Sequence, residues 1–198
     1  MDDIARRSGI IVAVATLFTV LTQIAYLTIQ GEAITANMIW GAETIAFLGI
    51  ALFALVPAFR GGPGALGWAG MALFGLLNLF QSGMGLMMFG PLQEGGDALA
   101  PVFAAVLAMA FLLFFAAKAA LGIAAIAFGL TLFSGSGGAG KVVGALAALA
   151  GLAALVTNLV AMIVGRDLAM VAGGAGTAAA LLTALTILMG ASERSASH

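Results

Sequence analysis

Hydrophobic positions along the chain fall into six long runs, at residues 9–30, 38–59, 65–89, 101–133, 142–164 and 168–190, separated by short polar punctuation. The breaks are Gly31-Glu32, Arg60-Gly61-Gly62-Pro63-Gly64, Gly90-Pro91 to Asp97, Ser134-Gly135-Ser136-Gly137-Gly138 and Gly165-Arg166-Asp167. Glycine and proline interrupt regular structure through their backbone properties, so these stretches read as turns. Each run can cover the ~30 Å of a bilayer core, which takes about 20 apolar residues in a helix. Backbone groups in hydrocarbon must be hydrogen-bonded within their own segment, which predicts helices. A barrel would instead show alternating segments of about ten residues, and none is present. The run 101–133 exceeds one crossing. It reads as one long helix with an outward extension, and a broken or re-entrant helix is the alternative.

The expected fold is therefore all-α, a polytopic bundle of six helices forming a single transmembrane domain over residues 1–198. Composition agrees. Of 198 residues, 63% are hydrophobic and 8% charged, with a mean hydropathy of +1.20. A soluble domain carries roughly 25% charged residues. With six crossings and the N-terminus inside, the cytoplasmic side holds Arg6, Arg7, Arg60, Lys141 and Arg194, and the far side holds only Arg166 beside Asp167, with Glu32, Glu94 and Asp97. Positive charge collects on the cytoplasmic side, which predicts both ends inside a bacterial inner membrane. The apolar run after Arg6-Arg7 is longer than a cleaved leader's and reads as a signal-anchor helix.

The few polar residues inside the runs carry the most information. Measured from the cytoplasmic end of each run at ~1.5 Å per residue, Gln23, Glu43, Gln81, Lys118 and Asn158 all lie about 20–25 Å deep, with Asn78 slightly nearer the cytoplasm. They also sit on defined faces. The first run carries Thr16, Thr19, Gln23, Tyr26 and Gln30, and the third carries Gly75, Asn78, Ser82 and Gly85 with Gln81 beside them. The fourth carries Lys118, Gly122, Ala125 and Gly129, and the fifth Gly140, Gly144, Ala147, Gly151, Ala154 and Asn158. Spacings of three and four place each set on one helical stripe. Small residues allow close helix approach and amides cross-link helices, so these stripes are expected to face inward. Glu43 and Lys118 share a depth and have opposite signs. A charge at that depth costs about 2.5 kcal/mol or more and is usually paired or functional, which predicts a Glu43–Lys118 ion pair; the alternatives are Glu43 reaching the interface or a different partner for the charges. A static pair can also serve only to fix helix register.

Several chemistries are excluded. The chain has no cysteine, and its one histidine is the last residue, His198. Disulfides, thiolate metal sites, haem held by histidine pairs, HExxH zinc chemistry and Ser-His-Asp triads therefore have no residues to build on. Met38, Met84, Met87, Met88, Met109, Met162 and Met170 gather toward the outer half. Thioethers can hold Cu(I), but methionine also fills irregular apolar gaps, and no metal or cofactor is expected. The Gly135-to-Lys141 stretch lacks the Ser/Thr and the preceding strand of a phosphate loop and reads as a cytoplasmic turn. Trp40, Trp68 and Tyr26 fit interfacial belts. A net charge of −1 points to no nucleic-acid partner.

In Ile4-Ala5-Arg6-Arg7-Ser8-Gly9, in Leu76-Leu77-Asn78-Leu79, and in the run from Phe128-Gly129-Leu130 to Gly151-Leu152, the chain resembles a family of uncharacterised bacterial six-helix integral membrane proteins. That resemblance implies the same bundle and carries no site residues with it. Short loops, Gly-rich faces and the lack of a catalytic constellation read first as a non-catalytic subunit, scaffold or interaction partner. Lipid, a homo-oligomer or other membrane proteins would surround it. The alternative is a small transporter or channel with its site at Glu43, Lys118, Gln23, Asn78, Gln81 and Asn158. A membrane enzyme acting on lipid or quinone is the least supported.

Overall fold

Apolar chain that must satisfy its own backbone has one economical solution, and the protein adopts it throughout. The computed structural model describes residues 3–28, 33–62 and 64–195. Six helices long and apolar enough to cross a membrane make up this part of the chain, and no strand occurs among the described residues. They are α1 (Asp3–Thr28), α2 (Ala33–Phe59), α3 (Ala65–Met84), α4 (Gly96–Gly135), α5 (Gly138–Val164) and α6 (Ala169–Ser195). A π turn at Gly85–Phe89 and a last stretch Gly90–Glu94 prolong α3, and a 3₁₀ turn at Arg166–Leu168 precedes α6.

The expected breaks hold with one adjustment. Gly61, Gly62, Gly96, Gly138 and Gly165 adopt positive φ, so each described turn contains a glycine in a conformation that side chains disfavour. The Gly31-Glu32 break lies outside the described residues, as do Gln30 and His198. The stretch Gly90-Pro91 is not a break: Pro91 falls in the first turn of the resumed helix, where its missing N–H costs no bond. The turn comes at Gly95-Gly96, within the expected break but narrower than it. The long fourth run is one unbroken helix of 40 residues, about 60 Å at 1.5 Å per residue, longer than the ~30 Å of a bilayer core.

Five helices form a closed ring in the order α1, α2, α3, α4, α6 and back to α1, and α5 packs on its outside against α4 and α6. Glycine sets the tightest seam. A Cβ on Gly151 would lie 2.6 Å from the carbonyl oxygen of Gly122, and one on Gly144 would lie 2.6 Å from that of Gly129. The backbones of α4 and α5 therefore touch at two levels. Gly75 of α3 does the same against α2, where its Cβ would lie 2.6 Å from the nitrogen of Ala51. The predicted inward stripes of α3, α4 and α5 are buried (Gly75, Asn78, Ser82 and Gly85; Lys118, Gly122, Ala125 and Gly129; Gly140 through Asn158), whereas on α1 only Thr16 and Thr19 are buried, Gln23 is half-buried and Tyr26 is exposed. The opposite face of α5 exposes Leu149, Leu152 and Leu159, as lipid contact requires.

The aromatic belt is only partly as expected. Trp68 is buried and packs edge-on against Phe128 at a centroid distance of 4.8 Å, so it belongs to the bundle interior. Trp40 turns inward too, between Tyr26 and Phe89 with both centroid distances at 5.9 Å.

Candidate functional site

Two chambers lie inside the helix ring, near opposite ends. The first, of about 600 Å³, is lined by the later half of α1 (Thr19, Gln23, Tyr26) and the early half of α2 (Trp40, Glu43, Phe47). The end of α3 with its π turn (Asn78, Gln81, Phe89), the middle of α4 (Phe111, Phe114, Lys118) and the start of α6 (Gly173, Thr177) complete it. The second, of about 610 Å³, is lined by the opposite ends of the same helices, including Arg6, Arg60, Trp68, Phe128 and Thr186. Ring neighbours thus run antiparallel, except α4 and α6, which run the same way because α5 returns the chain outside the ring. Between the chambers, Val12, Thr16, Ile50, Ala54, Met71, Phe74, Leu121, Ala124, Thr183 and Ala184 are all essentially without solvent exposure. These side chains close the ring for about two helical turns.

Five of the six predicted site residues, Gln23, Glu43, Asn78, Gln81 and Lys118, line the first chamber. The structure corrects the predicted ion pair, because Glu43 and Lys118 face one space without touching. The ammonium of Lys118 donates to Gln23 Oε1 at 3.0 Å and lies 5.6 Å and 5.4 Å from the ring centres of Phe74 and Phe114. Glu43 Oε1 accepts a bond from Thr22 Oγ1 at 2.6 Å. Each charge is fastened to a polar neighbour on α1, at consecutive positions whose side chains diverge by about 100° around the helix. The stem of Lys118 lies over Gly176 of α6, where a Cβ would come within 2.5 Å of its Cδ.

Gln23 joins three helices. Its Oε1 also accepts from Thr177 Oγ1 on α6 at 3.4 Å. A second cross-link, Thr44 Oγ1 to Ser82 Oγ at 2.9 Å, ties α2 to α3. Thr22, Thr177, Gly176 and Phe89 were not anticipated as parts of the site. Thr22 was hidden because it stands one residue off the polar stripe. Phe89 reaches the chamber because the π turn rotates the end of α3, and no residue type announces that turn. Such turns often mark functional sites.

Asn158 is the exception, a second correction. It is fully buried at the outer seam, where its Nδ2 donates to Ala154 O at 2.8 Å and to Ala172 O of α6 at 3.1 Å. It does not line the chamber, because α5 lies outside the ring. Its Oδ1 has no hydrogen-bond partner. Asn158→Leu would lose one interhelical bond, worth about 0.6–1.7 kcal/mol, and would also remove an orphaned buried acceptor that costs about 1–3 kcal/mol. The two offset, so thermal unfolding in detergent should show a change within about 1 kcal/mol. A loss well beyond that would mean the Asn158 oxygen is satisfied and the seam depends on it.

The methionines do not converge. Met38, Met87 and Met170 are largely exposed, and of the seven only Met170 lines this chamber. Comparison with protein-family models, curated proteins and solved structures finds no match for this chain.

Proposed function

We propose that this multi-pass protein carries a small polar solute across a bacterial inner membrane, with its binding site in the chamber around Glu43 and Lys118. The carrying observation is the convergence of Gln23, Glu43, Asn78, Gln81 and Lys118 on one space of about 600 Å³. Ligand cavities span roughly 300–1,000 Å³ and combine apolar walls with a few convergent polar groups. Charged groups inside a membrane protein face cavities or pathways far more often than lipid. A second chamber of about 610 Å³ beyond a closed plug supplies the other half of an interrupted path. The bias of Arg and Lys supports a cytoplasmic side for the arginine-lined chamber and an outer side for the Glu43–Lys118 chamber.

The other reading, a non-catalytic subunit or scaffold, rests on the short loops and Gly-rich faces; in the structure the outward leucines of α5 offer it a surface, which a partner helix or a second copy would cover. Lipid covers them equally well, so they select no partner.

Thiol labelling tests the proposal directly, because the natural chain lacks cysteine. With the protein in nanodiscs, Thr177→Cys in the chamber should react with a charged methanethiosulfonate roughly a hundredfold faster than Thr183→Cys in the plug, since only a thiol reached by water forms the reactive thiolate. Equal, slow rates at both positions would reject a solute site here.

A further inference from the structure

We propose that the solute is a small zwitterion with an apolar body, its anionic end on Lys118 and its cationic end on Glu43. This inference rests on the solute-site reading above. Glu43 and Lys118 are the only carboxylate and the only ammonium among the described residues that line the chamber, so their formal charges cancel. Each is held to a neutral neighbour rather than to the other. An ammonium has three N–H donors and a carboxylate about four acceptor positions. One direct side-chain bond to each leaves capacity directed at the same space.

Charge balance selects the ligand class. A lone cation on Glu43 would leave Lys118 uncompensated in a low-dielectric site, and would bring a net charge out of water. A lone anion on Lys118 has the converse fault. A zwitterion meets both groups and imports no net charge. The walls fit such a molecule. Trp40, Glu43 and Phe47 follow i, i+3, i+7 spacing on α2 and all line the chamber, so the carboxylate is flanked by two rings. Aromatic faces favour an ammonium. Phe111, Phe114 and Phe89 across the chamber offer apolar surface for the body.

The test is protection of Thr177→Cys from methanethiosulfonate labelling in nanodiscs. The probes are 6-aminohexanoate and L-leucine as zwitterions with distant and adjacent charges, and hexylamine and hexanoate as single-charge counterparts. At least one zwitterion should protect at a concentration roughly tenfold or more below either counterpart, the value of one charge-assisted bond. Glu43→Gln should raise the protective concentration of that zwitterion and leave hexanoate unchanged. Protection by hexylamine or hexanoate at equal concentration, or none by either zwitterion while labelling proceeds, would overturn the zwitterion assignment and leave the water-filled site standing. No labelling of Thr177→Cys at all would remove the site, and this inference with it.

Discussion

Gly151→Val should be the most damaging single substitution in the bundle. The new Cβ would stand 2.6 Å from the carbonyl oxygen of Gly122 and 2.8 Å from the nitrogen of Ile126. Both atoms are backbone, so no rotamer change relieves the clash, and α4 and α5 must part. Parting opens the second contact too, where Gly144 and Gly129 meet in the same way. Overpacking a core typically costs 1–3 kcal/mol; against rigid backbone at a two-level seam, we expect about 3 kcal/mol or more. Gly49→Ala is the matched control, since a Cβ there meets nothing within 4 Å. It should be neutral, or stabilising by up to about 1 kcal/mol through helix propensity. Thermal unfolding of the purified variants in mild detergent reads both. A Gly151→Val protein that melts with the wild type would show that α4 and α5 do not touch backbone to backbone.

Gln23→Leu should be nearly as costly, for an electrostatic reason. It removes the one direct hydrogen-bond acceptor of the buried Lys118 ammonium and leaves the charge with two aromatic rings. A hydrogen bond to a charged group is worth about 1.5–3 kcal/mol, and that is the loss expected. The reverse change, Lys118→Met, should cost far less. Gln23 keeps its contact with Thr177 and Glu43 keeps Thr22. Made together, the two changes should return the protein close to the Lys118→Met value, a coupling of about 2 kcal/mol. Additive losses from the two substitutions would mean that Gln23 does not hold Lys118.

Much of this was legible in the residues, for a simple reason. In hydrocarbon a polar or glycine residue has few places to go, so a stripe such as Gly75, Asn78, Ser82 and Gly85 indicates its buried side directly, and those four are buried. Depth was legible too, because helical rise is fixed. What depth along an axis cannot give is the position of each helix around the bundle. Asn158 shares the level of Lys118, yet α5 stands outside the ring, so its amide joins two helices at the seam. Pairing Glu43 with Lys118 by depth and sign did not reckon with neutral partners, since Thr22 and Gln23 of α1 reach each charge first. The break expected from Gly90-Pro91 to Asp97 contains the turn at Gly95-Gly96 but began too early, because Gly90-Pro91 looks like a helix stop and here the helix continues through it after a π turn.

The account depends most on the Glu43–Lys118 chamber being a water-filled recess on the outer face. Sided labelling of Thr177→Cys measures that, with a membrane-impermeant charged thiol reagent applied to spheroplasts stripped of outer membrane and to inside-out vesicles. The account predicts modification in spheroplasts and protection in inside-out vesicles, with the plug of Phe74, Met71 and Leu121 barring the way from the cytoplasmic side. Modification only from the cytoplasmic side, or from neither, would contradict it.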